Sequence, residues 1–180
     1  MNNIMLDIET LGVESDSAIL SIGAVLFDIK TGALGTTFYK VISLDSSLKF
    51  GQVEGNTLKW WITQSPRAKE IFNSRDAVTL ESALNDFSEF VSQVENVCVW
   101  GNGSGFDNVI LKNAYNRLSM PIPWNFRNDR DVRTIIALAQ DILDIDFKNE
   151  VVMDGVAHNA LDDAIYQAKY VHSAFKSLSK

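Results

Sequence analysis

The sequence predicts an α/β fold in which helices cover both faces of a mixed β-sheet. Two observations lead to this prediction. The first 42 residues contain three strand-like segments whose connections are too short for crossover helices, which favours an antiparallel meander. Farther along the chain, helical segments alternate with short strand-like ones, and this alternation is typical of a sheet with helices packed on its faces.

The strands are predicted from short apolar runs that end at turn residues. The first runs from Ile4 to Glu9, the second from Ala18 to Asp28 and the third from Gly35 to Ile42. Thr31-Gly32 marks the turn between the second and the third. A fourth strand covers Val97 to Trp100 and leads into a glycine-rich stretch, Gly101-Asn102-Gly103-Ser104-Gly105.

The helices are predicted from apolar residues at helical spacing and from capping or breaking residues. They comprise a short helix that Asn56 caps and Pro66 limits, helices over about Thr79–Val94, Phe106–Arg117 and Val132–Ile142, and a last helix from near Asn159. Pro121 and Pro123 break the chain before the fourth of these helices, and a short strand is predicted near Trp124–Arg127.

The composition fits one globular domain over residues 1–180. Cys98 is the only cysteine, so a disulfide framework within the chain is excluded, which suits a reducing compartment. The N-terminus lacks the features of a signal peptide, and the longest apolar run, near Ile19–Phe27, is too short to span a bilayer. We therefore expect a cytoplasmic protein without a membrane partner.

The net charge of −7 predicts weak capture of long nucleic-acid duplexes, because phosphate contacts require Lys and Arg. It does not exclude nucleic acid as a substrate. Some of the carboxylates can hold metal ions, and the metal ions present positive charge to a phosphodiester. Short or single-stranded ends are easier substrates for such a surface.

Asp7 and Glu9 lie in the otherwise apolar first strand. Side chains two positions apart on a strand point to the same face, so two carboxylates stand side by side next to the core. Like charges at that distance repel, and burying them unpaired is costly. A divalent cation removes both problems, so the pair predicts a metal site.

Three further residues can complete such a site. Asp107 follows the glycine-rich stretch and stands in the first turn of a helix, where a capping role is the alternative interpretation. His158 precedes the last helix, and Asp163 lies one turn into it, so the histidine can bend over a ligand that the aspartate holds. The only other histidine, His172, has no acidic cluster around it and is interpreted as structural.

The order of these residues resembles the DEDDh family of 3′-5′ exonucleases. The matching segments are Leu6–Gly12, Gly105–Asn108 and His158–Ala164. Two further stretches, Leu58–Pro66 and Arg130–Thr134, are similar to a phage exonuclease A-type subgroup that includes a mycobacterial-type 3′-5′ exoribonuclease and exodeoxyribonuclease VIII-like proteins. The resemblance implies a ribonuclease H-like, mixed five-stranded sheet with helices on both faces.

The resemblance also implies a metal-dependent exonuclease that hydrolyses single-stranded DNA or RNA from the 3′ end to nucleoside 5′-monophosphates. Two divalent cations, Mg²⁺ or Mn²⁺, would be held by Asp7, Glu9, Asp107 and Asp163, with Asp7 bridging both. His158 would act as the general base.

Five residues are predicted to contact the substrate. The backbone around Thr10, Leu11 and Gly12 would face the terminal sugar, as the resemblance implies, and Phe106 or Trp61 could stack on a base. At least one of the adjacent tryptophans 60 and 61 is expected to be core. Arg130, Asp131 and Arg133 are interpreted equally well as a structural ion-pair cluster or as substrate contacts.

Several alternatives stay open at the level of sequence. The chain could be a catalytically silent module that binds nucleic acid or protein, although the intact set of acids argues against it. A phosphatase with an aspartate nucleophile is disfavoured by Glu9 and by His158 before Asp163. The choice between DNA and RNA and the substrate length are undecided, and a homodimer is possible because relatives often pair.

Overall fold

The three N-terminal apolar segments form an antiparallel meander in the computed structural model, which describes residues 1–179. The strands are β1 (Asn3–Thr10), β2 (Ile19–Phe27) and β3 (Leu34–Val41). Their bounds lie within one or two residues of the predicted ones, and the predicted meander is confirmed. β1 and β2 are almost wholly buried, which explains why their sequences are continuous apolar runs.

Two parallel strands extend the sheet on the other side of β1. Strand β4 (Cys98–Gly101) pairs with β1, and β5 (Asp129–Asp131) pairs with β4. The sheet order is β3-β2-β1-β4-β5, so the mixed five-stranded sheet is confirmed. β1 is the central strand, and its carboxylates therefore lie in the middle of the molecule.

The short strand predicted near Trp124–Arg127 is wrong: the chain forms a 3₁₀ turn at Phe126–Asn128, and β5 follows it. Trp124 is a core residue instead. Its ring is 6% exposed, it packs edge-on against Phe87 and Tyr115, and its Nε1–H donates to Asp129 Oδ1 at 2.8 Å. β5 itself consists of charged residues, so no apolar pattern marks it as a strand.

The helices alternate with the later strands, as predicted. Their bounds are α1 Leu44–Phe50, α2 Gly55–Thr63, a 3₁₀ helix Ala68–Asn73, α3 Leu80–Ser92, α4 Asp107–Arg117, α5 Val132–Leu143, α6 Phe147–Glu150 and α7 Ala160–Leu178. The prediction that Asn56 caps the short helix is wrong, because α2 begins one residue earlier and Glu54 precedes it. Within residues 1–179, no helix has the length and apolar character needed to cross a membrane.

Alternation along β1 separates the two layers of the core. Ile4, Leu6 and Ile8 face one side and pack with α3 and α4 through residues such as Leu84 and Leu111. Met5 faces the other side with α5 and α7, where Val132, Ala164 and Val171 pack. Helices therefore cover both faces of the sheet, as predicted.

Candidate active site

Asp7 and Glu9 project from the same face of β1. Met5 lies on the same face of β1 and packs against α7, and Asp7 and Glu9 follow it at every second position. Ile8, between the two acids, faces the opposite layer. Glu9 is 8% exposed and Asp7 is half-buried. The predicted pair of adjacent carboxylates is therefore confirmed.

Asp163 and His158 reach this pair from the start of α7. One ligand atom each of Glu9, His158 and Asp163 lies within 4.8 Å of the others. The backbone N–H of His158 donates to Asp163 Oδ2 at 2.8 Å, and His158 has a φ of +66°. This left-handed conformation is uncommon outside glycine, although histidine is among the residues that adopt it more often. The turn thus ties the histidine to the carboxylate at the beginning of α7.

Gly23 brings the beginning of α7 onto the sheet. It pairs with Asp7 in the neighbouring strand, and a Cβ at this position would lie 2.2 Å from the carbonyl carbon of Ala160 and from the nitrogen of Leu161. Only glycine permits this approach. The close packing places Asp163, in the first turn of α7, beside Glu9.

Asp107 approaches the cluster from the beginning of α4. Its Oδ1 accepts the backbone N–H of Ile8 at 3.2 Å, and its Oδ2 accepts that of Asn102 at 2.7 Å. The side chain is 1% exposed. Asp107 therefore connects the central strand to the glycine-rich loop, which is more than the helix-capping role considered from sequence.

Gln167 is a site residue that the sequence analysis missed. Its Nε2 donates to Asp7 Oδ1 at 2.7 Å, the residue is 4% exposed, and its own Oε1 has no partner among the described residues. It lies one helical turn after Asp163, so the i, i+4 spacing on α7 was the available signal.

Burial raises the pKa of all four carboxylates, and repulsion within the cluster adds to the rise at Asp7 and Glu9. Burial raises the pKa of Asp7 well above its usual range, and the charges of Asp107, Glu9 and Asp163 add to the rise. Burial with repulsion from Asp163 and Asp107 raises the pKa of Glu9 to about 8. Burial raises the pKa of Asp107 to about 6 although its two backbone hydrogen bonds oppose the rise, and burial also raises that of Asp163.

The ion pairs among the described residues involve none of these four acids. Their charge is therefore not compensated by a lysine or arginine in direct contact. A buried cluster of oxygen donors with excess negative charge is the environment that divalent cations stabilise.

An aromatic cleft of about 470 Å³ opens beside Glu9; we use this name for the space that Thr10, Gly12, Glu54, Trp60 and Phe106 help to line. The prediction that Trp61 stacks on a base is corrected by the structure. Trp61 is 1% exposed, and its Nε1–H donates to the Thr10 carbonyl at 2.8 Å, so its ring has no free face. Trp60 is 41% exposed, and its ring centroid lies 4.8 Å from that of His158, edge-on.

The turn at Thr10–Gly12 is held by internal hydrogen bonds. Thr10 Oγ1 donates to the Gly12 carbonyl at 2.6 Å. The Leu11 N–H donates to Ala18 and its carbonyl accepts the N–H of Glu54, at 2.9 and 2.8 Å. Thr10 and Gly12 line the aromatic cleft, whereas the Leu11 side chain is buried.

Glu54 is a second residue of the cleft that the sequence analysis missed. Its Oε1 accepts the backbone N–H groups of Val13 and Glu14 at 2.8 and 3.1 Å. A Cβ at Gly12 would lie 2.7 Å from this oxygen, so the glycine makes room for the carboxylate. No sequence motif marks Glu54, because its partners are backbone groups some 40 positions away.

The charged residues of β5 and the start of α5 have different roles. Asp131 caps α5 by accepting the N–H of Thr134 at 3.0 Å, and Arg130 donates to two backbone carbonyls. Arg133 points instead to Asn102, with its Nε 3.4 Å from Oδ1. The ion-pair cluster considered from sequence does not form, since Arg130 and Arg133 take no part in the ion pairs of the described residues.

Comparison with known proteins agrees with this geometry. A family model described as the 3′-5′ exoribonuclease Rv2179c-like domain matches residues 2–175. The exodeoxyribonuclease of Enterobacteria phage T4 is 24% identical over an alignment of 194 positions, which includes 91% of this chain and 84% of the phage protein.

Solved structures show the same fold. The nuclease domain of 3′hExo, a DEDDh family member bound to rAMP, aligns with a TM-score of 0.67 at 12% identity, covering 97% of this chain and 92% of that one. Pop2p of S. pombe, in a Mg²⁺- and Mn²⁺-bound form, aligns with a TM-score of 0.64 at 15% identity, covering 96% and 82%.

The sheet order is that of a ribonuclease H-like fold, and the fold matches that of 3′hExo, a DEDDh family member, as the sequence motifs predicted. The chain belongs to the Rv2179c-like 3′-5′ exoribonuclease domain family and is a 3′-5′ exonuclease. This family assignment argues against the phosphatase considered from sequence. The predicted homodimer and the predicted cytoplasmic location stay predictions.

Proposed function

We propose that this exonuclease removes nucleoside 5′-monophosphates from the 3′ ends of single-stranded nucleic acid with the help of bound divalent cations. The observation that carries the proposal is the convergence of Glu9, His158 and Asp163 within 4.8 Å, with Asp7 and Asp107 close enough to repel the Glu9 carboxylate. A histidine beside a cluster of buried carboxylates supports phosphodiester hydrolysis better than binding alone.

The donor set fits Mg²⁺ or Mn²⁺. Asp7, Glu9, Asp107 and Asp163 supply carboxylate oxygens, the ligands that these hard cations prefer, and the one cysteine, Cys98, lies elsewhere on β4. Bound cations supply charge neutralisation at the phosphate and a more acidic water. Gln167 and the backbone donors to Asp107 orient two of the carboxylates in advance.

His158 is the group of this cluster that can accept a proton from an attacking water. Its backbone is fixed by the bond to Asp163, and the exposed Trp60 ring packs against its imidazole with the two rings nearly perpendicular. A base held in this way keeps its position during turnover, which favours proton transfer over a short distance.

The aromatic cleft supports binding of the terminal nucleoside. Its volume of about 470 Å³ lies in the range of small-molecule sites. Trp60 offers an exposed ring and Phe106 a half-exposed one, and stacking on aromatic rings tolerates any base. The bound rAMP of 3′hExo supports a mononucleotide product. The net charge of −7 favours single strands over long duplexes.

A 5′-labelled single-stranded oligonucleotide, offered as DNA and as RNA, tests the proposal. With Mg²⁺ or Mn²⁺ we expect a ladder that shortens from the 3′ end and releases 5′-monophosphates, and with EDTA we expect no cleavage. Products that retain a 3′ phosphate, or cleavage that persists in EDTA, would overturn it.

Two neighbouring acids provide a matched pair of variants. Asp163→Asn should lose at least about 100-fold in activity, which is the upper end of the loss expected from an outer-shell change. Asp162→Asn should stay within a few-fold of wild type, because within residues 1–179 the Asp162 carboxylate accepts only the Val156 N–H, at 2.8 Å, and asparagine can still accept it. Equal activities of the two variants would contradict the ligand assignment.

A further inference from the structure

A second cleft of about 480 Å³ lies beside α5 and α6. We call it the α5–α6 cleft, and the residues lining it include Asn102, Arg133, Gln140, Lys148 and Tyr170. Two of these residues are exposed cations, Arg133 at the beginning of α5 and Lys148 in α6. The one acid in its lining, Asp146, caps α6 by accepting two backbone N–H groups.

The sheet order separates this cleft from His158. His158 borders a cavity that also includes Tyr39 of β3, at one edge of the sheet. Arg133 follows β5, at the other edge. The carboxylates of β1 lie between them, because β1 is the central strand.

The two cations face the acids without forming ion pairs. Burial raises the pKa of Asp107, and the positive charge of Arg133 opposes the rise. Burial likewise raises the pKa of Asp163, and Lys148 opposes that rise. Neither cation is within 4 Å of a carboxylate oxygen in the part of the chain that the structure describes. Both are therefore available to an anionic ligand.

The direction of attack decides which part of a substrate lies on this side. Displacement at phosphorus runs in line, so the attacking water and the leaving 3′ oxygen stand on opposite sides of the phosphate. If His158 takes the proton of the water, the leaving oxygen points away from His158. The strand that remains after cleavage then continues toward Asn102 and Arg133.

We propose that the α5–α6 cleft binds the phosphates of the nucleotides that precede the terminal one, through Arg133 and Lys148. The inference rests on the proposed function, since it uses the role of His158. It also explains how an acidic chain holds a polyanion: the cations are placed where the remaining strand passes. Contacts of this kind position the strand without reading its sequence.

The test follows the logic of a double-mutant cycle: the two protein cations and the phosphate charges are removed separately and together. One oligonucleotide carries ordinary linkages, and a second has neutral methylphosphonates at the two linkages upstream of an ordinary scissile one. For wild type, we expect the neutral linkages to raise KM by about 10-fold or more, with little change in kcat. For the double variant R133A/K148A, both substrates should show the same raised KM.

Lys30→Ala is the matched control, because Lys30 is an exposed cation in the β2–β3 connection, beyond the end of β2. It should keep the wild-type difference between the two substrates. The slope of log KM against log salt should fall by about 0.7 for each phosphate contact that is lost.

The inference would be overturned if the double variant and the neutral linkages raised KM additively. It would also be overturned if the double variant lowered kcat and left KM unchanged. Failure of the proposed function gives a different result, because wild type would then leave the ordinary oligonucleotide uncut.

Discussion

Replacing Glu9 by glutamine tests the electrostatics of the site without relying on turnover. In the metal-free protein, burial, with repulsion from Asp163 and Asp107, raises the pKa of Glu9 from its ordinary value of 4.5 to about 8. Between these values the unfolded chain carries an ionised Glu9, whereas the native protein keeps a proton on it. The free energy of unfolding therefore falls as the pH rises from 4.5 to about 8, and the loss is complete above that.

This rise in the pKa of Glu9, from 4.5 to about 8, lowers the free energy of unfolding by about 5 kcal/mol at alkaline pH. Glutamine removes this loss but leaves a buried amide where the structure gives Glu9 no hydrogen-bond partner within residues 1–179, which costs about 1–3 kcal/mol. We expect the free energy of unfolding of Glu9→Gln to exceed that of wild type by about 2–4 kcal/mol at pH 9, which raises Tm by about 4–16 °C for a chain of this size.

Thermal unfolding followed by circular dichroism in EDTA, at pH 5 and pH 9, measures this gain. At pH 5 the gain should vanish or change sign, because Glu9 is then largely protonated in the native protein. Asp107→Asn is the contrasting variant: it should melt below Glu9→Gln at pH 9, since Asp107 accepts two backbone N–H groups and an asparagine has one acceptor oxygen. A Glu9→Gln protein that melts no higher than wild type at pH 9 would refute the reasoning.

Two further predictions concern residues beside the acids. Trp60→Ala should raise KM for an oligonucleotide by about 5-fold or more and leave Tm unchanged, whereas Trp61→Ala should lower the free energy of unfolding by about 3–5 kcal/mol. Steady-state kinetics and thermal melts distinguish the two variants. Equal losses of Tm would contradict the assignment of Trp61 to the core and of Trp60 to the cleft. Gln167→Leu should raise the Mn²⁺ concentration for half-maximal activity about 10–100-fold, with kcat recovered at saturation. An unchanged Mn²⁺ titration would show that the bond to Asp7 is incidental.

The parts of the fold and site that depend on local spacing were predictable from the sequence. Asp7 and Glu9 share a face because strand residues alternate, and apolar neighbours mark the strand as buried. The antiparallel meander was predictable because the connections between its three strands are too short for crossover helices. His158 and Asp163 meet because five positions at the beginning of a helix bring a preceding residue back over its first turn.

The parts that depend on tertiary packing were not predictable. Trp60 and Trp61 are adjacent on α2, and only the docking of that helix against the turn after β1 decides which ring is buried. β5 is a strand because it pairs with β4, not because Asp-Arg-Asp favours one. Glu54 accepts two backbone N–H groups some 40 positions away, which leaves no motif in the sequence. Gln167 donates to Asp7 across the fold, and only its i, i+4 spacing from Asp163 marks it.

The contact between Gly23 and the start of α7 makes the catalytic geometry sensitive to a chemically inert position. A methyl group there would meet the backbone of Ala160 at 2.2 Å, so the helix would have to lift by about 1–2 Å to regain ordinary contact. His158 and Asp163 would move away from Glu9 together. Homologues that keep every ionisable residue but carry a larger side chain at this point of the second strand are therefore poor candidates for active nucleases.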